Sequence, residues 1–389
     1  MIGEVRIENY KSIQKLKLEL GRVTVLIGEN GCGKSNILEA IALASAAADD
    51  KLDNEFLASR GIRVTEPQFM RSAFEKANLD KDICIELRKN NELQFSCVLQ
   101  NDNSPYSPWV SKNFLGNTEI SLKNAVMLVF QKHGGLEKFT AVSEGKTELP
   151  EKEWLNFKKD AESFIPIIDL NKFIIYSPEN PALRTFEKEG QIQPLGINGE
   201  GLFKLINFLN SDKNQDKLDE IKQKLRLIDW FKDFEVPQNL AAMQTSIQIQ
   251  DRYLDKDLSY FDQRSSNEGF LLLLFYFTLF ISDITPKFFA IDNIDASLNP
   301  RLCRRLMQEL VELAKKHDKQ VIFTTHNPAV LDGLDLEDDE QRLLVISRNQ
   351  LGYTKARRIL GPKPLEGQEP VELSEAFLRG YIGGLPKNF

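Results

Sequence analysis

Residues Gly28-Glu-Asn-Gly-Cys-Gly33-Lys34-Ser35 fit the pattern G-x-x-x-x-G-K-[ST], and their neighbours fit the fold that this pattern requires. Upstream, Val23-Thr-Val-Leu-Ile27 is apolar almost throughout, as in a strand buried on both faces. Downstream of Asn36, Ile37, Leu38, Ala40, Ile41, Leu43 and Ala44 recur at helical spacing until Asp49-Asp50. Strand, glycine loop and helix in that order point to an α/β core around a parallel sheet. Glycines let the backbone amides turn inward around a phosphate, because a side chain would block the turn or the approach. The helix N-terminus adds partial positive charge. In such a loop Gly28, Glu29, Asn30, Gly31, Cys32, Gly33, Lys34, Ser35 and Asn36 line a nucleotide. Lys34 reaches its β and γ oxygens, and the Ser35 hydroxyl ligates magnesium.

The rest of the chain alternates in the same manner. Val5 to Ile7 and Leu16 to Leu20 read as short strands, and residues 82–99 as a hairpin turning at Lys89-Asn90-Asn91. Phe173 to Tyr176 is a strand closed by Ser177-Pro178 and Asn180-Pro181. Helices are expected over Gly201–Asn210 and Asp216–Phe231, strand alternation over Thr245–Ile249, and a surface turn entering a helix over Glu144–Asp160. Helix 269–281, strand Phe288–Ile291, helix 301–316 and strands Val321–Thr324 and Leu343–Ile346 complete the pattern. Residues 1–60 and 270–360 are expected to form the two halves of the core. Residues 61–175 then form an inserted β-rich or irregular part, 176–269 a helical lobe, and 361–389 a tail.

Composition narrows the partners. Net charge is −7 at pI 5.4, so no overall basic field draws nucleic acid or an anionic membrane, and DNA contact would need a local patch. Phe270 to Ile281 falls short of the roughly 20 residues a spanning helix needs and is expected to be a buried helix, with no membrane partner. The opening residues lack an apolar stretch followed by a small-residue cleavage site, so a cytoplasmic protein is expected. Cys32, Cys84, Cys97 and Cys303 lack CxxC or histidine spacing, which argues against a zinc site or a disulfide framework.

A phosphate loop needs a second carboxylate for its metal at the end of a neighbouring buried strand. Asp292 leaves the apolar strand Phe288–Ile291 at that place. Val321-Ile-Phe-Thr-Thr325 ends in His326, at a strand's carboxyl end, where α/β sheets hold ligands. Contact with a γ-phosphate is expected there.

These motifs together resemble the RecF/SMC/OLD-like ABC ATPases over nearly the whole chain. The resemblance implies an ABC-type head with a mainly parallel core sheet, an antiparallel β subdomain and a helical lobe bearing a signature motif. It implies ATP and Mg2+ as ligands, and a homodimer sandwiching the nucleotide or a higher homo-oligomer. Ile7-Glu-Asn-Tyr-Lys-Ser12 resembles the family's N-F-[KR]-S strand, which would bring Lys11 and Ser12 beside the nucleotide. Asp295-Ala-Ser-Leu-Asn-Pro300 resembles its D-loop through Ser297 and Asn299, the latter where Asp is usual. Thr324-Thr-His326-Asn-Pro328 resembles its switch histidine. Ser266, Asn267, Glu268 and Gly269 open the long apolar helix as the signature does when it reaches the partner's γ-phosphate, with either Ser266 or Asn267 in the serine's role. A capping box would place the same amides there. In the Q-loop segment, Ser177 or Glu179 stands where Gln is expected.

One departure bears on chemistry. The residue after the Walker B Asp is normally Glu, which polarises the attacking water, and here it is Asn293. An amide cannot accept that proton. With Lys34, Asp292, Asn293 and His326 as the catalytic set, a slow or partner-dependent ATPase is expected. Residues 193–203 resemble a family loop and helix leading toward the signature, and the tail from Ser374 to Phe389 either packs on its own domain or docks a partner. The residues after 355 are too few for a TOPRIM nuclease of the OLD type. The expected role is therefore the ATPase subunit of a bacterial defence or repair system, controlling a nuclease or toxin from the same operon. The alternative is a RecF-like DNA-binding repair ATPase, to which Arg301, Arg304 and Arg305 could contribute. A transporter subunit is disfavoured by the long gap between the phosphate loop and the signature.

Overall fold

A computed structural model describes residues 1–104, 107–119, 124, 127, 131–132, 170–185, 194–211, 213–237, 246–255, 258, 260–361 and 371–385. The apolar run Val23–Ile27 is strand β3, with every residue buried. Before it come β1 (Glu4–Tyr10) and β2 (Ile13–Glu19), and after the glycine loop comes helix α1 (Lys34–Ala48). Short helices α2 (Asn54–Ser59) and α3 (Pro67–Met70) lead to β4 (Ile83–Lys89), β5 (Glu92–Gln100), β6 (Val110–Leu115) and β7 (Thr118–Glu119). The next elements are β8 (Ile175–Tyr176), α4 (Asn180–Thr185), α5 (Leu202–Leu209) and α6 (Gln215–Leu225). Strands β9 (Phe231–Glu235), β10 (Gln248–Asp251) and β11 (Phe261–Asp262) precede helix α7 (Glu268–Ile281). The chain continues through β12 (Phe288–Ile291), α8 (Pro300–Lys316), β13 (Gln320–Thr324), β14 (Gln341–Arg348), β15 (Thr354–Ile359) and α9 (Leu373–Leu378).

Strand β3 lies inside a six-stranded sheet ordered β15-β14-β3-β13-β12-β8, parallel from β14 to β8, with β15 antiparallel at the edge. Alternate side chains feed two cores, as the period of two in a strand requires. Val25, Ile27, Phe289, Ile291 and Phe323 pack with α5 to α8 on one face, whereas Leu26, Ala290, Ile322 and Leu344 pack with α1 and β1 to β5 on the other. All twelve residues from Phe270 to Ile281 in α7 are buried. At about 1.5–3 kcal/mol for each large side chain, this helix is a principal source of stability for the helical face. The second sheet, β2-β1-β4-β5-β6-β7, is antiparallel throughout. Strands β1 and β2, expected within the core halves, therefore pair with the β-rich part through β4. The hairpin between β4 and β5 turns on Asn90 and Asn91, whose φ angles of 50° and 66° suit a primed turn.

The helix expected over 216–231 stops at Leu225, and Phe231–Glu235 form β9. A bulge explains the misreading: Asp251 pairs with Phe231 and Gln250 with Asp233, so Lys232 is an extra residue. Phe231 and Phe234 are then both buried, at a spacing that imitates a helix. The turn expected over 144–160 lies outside the described residues.

Candidate functional site

Register brings the motifs to one edge of the central sheet. Val345 pairs with Ile27, Leu26 with Thr324, Phe323 with Ile291, and Ile291 with Tyr176. Because these strands run parallel, the phosphate loop, Asp292, His326 and Ser177 all emerge at their carboxyl ends, the side where open α/β sheets bind ligands.

The loop is shaped by close approach. Gly28 has φ 152°, and a Cβ there would lie 2.1 Å from the Ile346 carbonyl oxygen. Gly33 has φ 109°, and a Cβ there would lie 2.2 Å from Thr354 Oγ1 and 2.8 Å from Ser12 Oγ. Hydrogen bonds brace the loop from behind. Asn36 Nδ2 donates to Ser12 Oγ at 2.7 Å, Ser12 Oγ and Thr354 Oγ1 are 2.7 Å apart, and Thr354 Oγ1 donates to the Cys32 carbonyl at 2.9 Å. Thr354 had no signal in the sequence. Gly33 is the N-cap of α1, and among the described residues no side chain caps that helix, so its first amides are left for an anion. Glu29 is half-buried, and Asn30 and Gly31 are exposed along the loop's outer turn.

Lys34 Nζ donates to the carbonyls of Gly28 at 2.8 Å and Glu29 at 3.2 Å. Burial pulls this lysine below its ordinary value, opposed by Cys32, Asp292 and Glu29. Ser35 Oγ donates to Asp292 Oδ2 at 3.2 Å. The other oxygen, Asp292 Oδ1, accepts from Thr324 Oγ1, and that hydroxyl accepts the Asn293 amide at 2.9 Å. A hydroxyl and a carboxylate side by side are hard oxygen donors suited to Mg2+, which completes its shell with phosphate oxygens and water. The arrangement fits the metal and a triphosphate.

Asn293 is exposed, with a left-handed backbone at φ 56°. The Asp295 carboxylate accepts from Thr325 Oγ1 at 2.5 Å. His326 is exposed at the rim, and partial burial together with the Lys34 ammonium lowers its pKa against the pull of Asp295 and Asp292. The imidazole is therefore neutral near pH 7.

Lys11 donates to Glu39 at 2.5 Å and to the Arg63 carbonyl at 2.8 Å. Arg63 binds the other Glu39 oxygen at 2.5 Å and Asn36 Oδ1 at 3.2 Å. Glu39 and Arg63 escaped the sequence reading, although a carboxylate inside the apolar run Ile37–Ala48 was a usable signal.

The Ser266–Gly269 turn, expected as the signature, opens helix α7. Asn267 caps α7 by accepting the Phe270 amide at 2.9 Å, and Ser266 Oγ is buried with no hydrogen-bond partner among the described residues. Glu268 accepts from Ser297 of the D-loop segment at 2.6 Å and from Asn180 at 3.3 Å. Gly269 faces Leu298, 3.4 Å from an added Cβ. Asn299 caps α8 by accepting the Leu302 amide at 3.0 Å. Ser177 and Glu179 are exposed, and their amides donate to the Ile197 and Asn198 carbonyls at 2.8 and 2.9 Å. From the same segment, Arg184 reaches back to the Ser266 carbonyl at 2.8 Å, joining the strand end to the signature turn. In the tail, Phe377 packs on the chain's own core, whereas Leu378 and Tyr381 are exposed and Phe389 lies outside the described residues.

Residues 23–332 match the profile of a protein family described as "AAA domain, putative AbiEii toxin, Type IV TA system". The chain belongs to this family. Its fold is similar to the SmcHead in the crystal structure of that head bound to the C-winged helix domain of ScpA. The TM-score is 0.57 at 14% identity, covering 92% of this chain and 98% of that one. The SMC head domain from Thermotoga maritima gives 0.51 at 15% identity, covering 92% and 98%. Two curated proteins match more locally. Uncharacterized protein MJECL10 of Methanocaldococcus jannaschii is 40% identical over 67 residues, 16% of this chain and 31% of that protein. The DNA replication and repair protein RecF of Bacillus thuringiensis (strain Al Hakam) is 38% identical over 55 residues, 14% of this chain and 15% of RecF. The matches thus span under a third of these relatives. The family is that of an AAA domain, and the fold is that of the SMC heads. Among the described residues no helix is long and apolar enough to cross a membrane.

Proposed function

We propose that this chain is an ATP-gated dimerisation switch, the ATPase subunit of a bacterial anti-phage defence system that controls a separate nuclease or toxin from the same operon. MgATP is held by the loop amides, Lys34, Ser35 and Asp292, and the Ser266–Gly269 turn of a second copy completes the pocket. The start of helix α7 at Asn267, whose first amides face outward at the turn, supports that role. The family's description as a toxin–antitoxin component supports the defence setting.

Asn293 carries the switch reading. Bound magnesium neutralises phosphate charge and orients the triphosphate. This chain adds the amides and Lys34 for electrostatic stabilisation, but its side chain after Asp292 is a carboxamide with no proton affinity to offer water. Asp295, which accepts from Thr325 on one carboxylate oxygen, and the neutral His326 are the acceptors that could partly take the place of a glutamate. Binding and closure are therefore retained while hydrolysis is slow or waits for a partner. Asn293→Glu should raise steady-state turnover by about a hundredfold or more, the usual scale of a positioned base. Wild-type turnover at ordinary ABC rates, abolished by Asp295→Ala, would overturn the slow switch.

The RecF match favours a second reading, ATP-dependent closure on duplex DNA. Arg304 pairs with Glu372 at 2.8 Å and Arg305 with Glu309 at 2.7 Å, so two of the three clustered arginines already face carboxylates. Duplex binding that needs MgATP and weakens steeply with salt would establish this reading over the first.

A further inference from the structure

The C-terminal segment reaches the phosphate loop at a point that none of the motifs includes. Helix α9 buries Leu373 and Phe377 in the cluster that holds Val25, Ile27 and Val345. The Ser374 amide donates to Asp332 Oδ1 at 2.8 Å, which fixes the start of the helix. Beyond it, Gly380, Gly383 and Gly384 take φ angles of 76°, 75° and 90°, and the chain turns back across β14 and β15. Arg357 of β15 donates to the Ile382 carbonyl at 2.5 Å.

Contact with the loop is made at Gly384. A methyl group there would meet Phe377 Cε2 at 3.1 Å, Val345 Cγ1 at 3.4 Å and the Gly28 Cα at 3.5 Å. Gly28 is also hemmed by the Ile346 carbonyl, only 2.1 Å from where its own Cβ would sit. The loop's first glycine thus borders both β14 and the tail, and a methyl on Gly384 would press on Phe377 while coming into van der Waals contact with Gly28. Its carbonyl also receives Lys34 Nζ at 2.8 Å. Displacing the tail toward the loop displaces Gly28, and with it the lysine that meets a triphosphate.

We propose that Gly384 is a positioning residue for the phosphate loop and that residues 373–385 form a strap whose seating sets nucleotide affinity. The proposal rests on nucleotide binding at Lys34, Ser35 and Asp292. The coupling is reciprocal, so bound nucleotide tightens the strap in turn.

Full-length Gly384→Ala and Gly380→Ala make the test. Both residues are left-handed, but a Cβ at Gly380 would meet only Leu385 Cδ1, at an ordinary 3.8 Å. Both variants should melt below the wild type. Only Gly384→Ala should weaken MgATP binding by calorimetry, by about tenfold. Arg357→Ala releases the Ile382 carbonyl without adding bulk, and should weaken binding by about threefold at near wild-type melting temperature. It decides the question if Gly384→Ala does not fold. Wild-type affinity in Gly384→Ala, equal losses in the two glycine variants, or, where Gly384→Ala does not fold, wild-type affinity in Arg357→Ala overturns the strap and leaves the nucleotide site standing. A wild type that binds no MgATP removes the site itself.

Discussion

Replacing Glu39 by glutamine should leave the fold intact but lower its stability by about 2–4 kcal/mol. The Glu39 carboxylate is 2% exposed and lies 2.5 Å from both Lys11 Nζ and Arg63 Nε. The Lys11 side chain is 12% exposed and that of Arg63 67%, so water can replace the carboxylate at the arginine but hardly at the lysine. Burial lowers the Lys11 pKa, and Glu39 is the largest influence opposing it. Removing one partner of a buried pair costs about 3–5 kcal/mol. The glutamine oxygen still accepts one hydrogen bond and returns about 1 kcal/mol. Urea unfolding followed by circular dichroism reads the difference as a lower midpoint at unchanged slope. Lys11→Met combined with Glu39→Gln removes both charges and should be more stable than Glu39→Gln alone, because the stranded charge is the main cost. A Glu39→Gln stability within about 0.5 kcal/mol of wild type, or a double variant weaker than Glu39→Gln, would refute the reasoning.

Two further outcomes follow from the loop and its rim. Gly33→Ala should abolish MgATP binding and lower the melting temperature, because its methyl would lie 2.2 Å from Thr354 Oγ1. Gly31→Ala, with no atom within 4 Å of the added carbon, should lose only the roughly 1–2 kcal/mol of left-handed strain, and equal effects in the two variants would contradict the cradle. His326 should titrate below the ordinary histidine value of 6.5 in NMR, and Lys34→Met should raise its midpoint. The folded imidazole holds its proton more weakly than the unfolded one, so its contribution is present above about pH 6.5 and lost as pH falls toward the lower folded value. A midpoint unmoved by Lys34→Met would show that the lysine does not act on it.

Much of the core could be read from the chain because its strands are apolar without interruption. Val23–Ile27 and Phe288–Ile291 have the bounds that their composition suggests, and β13 begins one residue earlier than expected. Strand β15 was missed because Thr-Lys-Ala-Arg-Arg-Ile alternates long charged side chains at a sheet edge, which hides the period. Strand β9 was hidden by its bulge. At the candidate site, contiguous motifs were legible in the sequence, and the braces supplied by distant segments were not. Thr354 braces a loop more than three hundred residues away in the chain, and Gly384 touches it from farther still; nothing in their own surroundings in sequence marks them. Ser12, expected beside the nucleotide, has its hydroxyl bonded to Asn36 and Thr354.

The most direct measurement is the solution mass of the full-length wild type and of Lys34→Ala, by light scattering with and without saturating MgATP. The 44.4 kDa wild-type chain should approach twice its mass when MgATP is added, and Lys34→Ala should remain a single chain. A wild type that stays single at saturation, or a Lys34→Ala protein that doubles equally well, would contradict a nucleotide-gated pair closed over Lys34, Ser35 and Asp292.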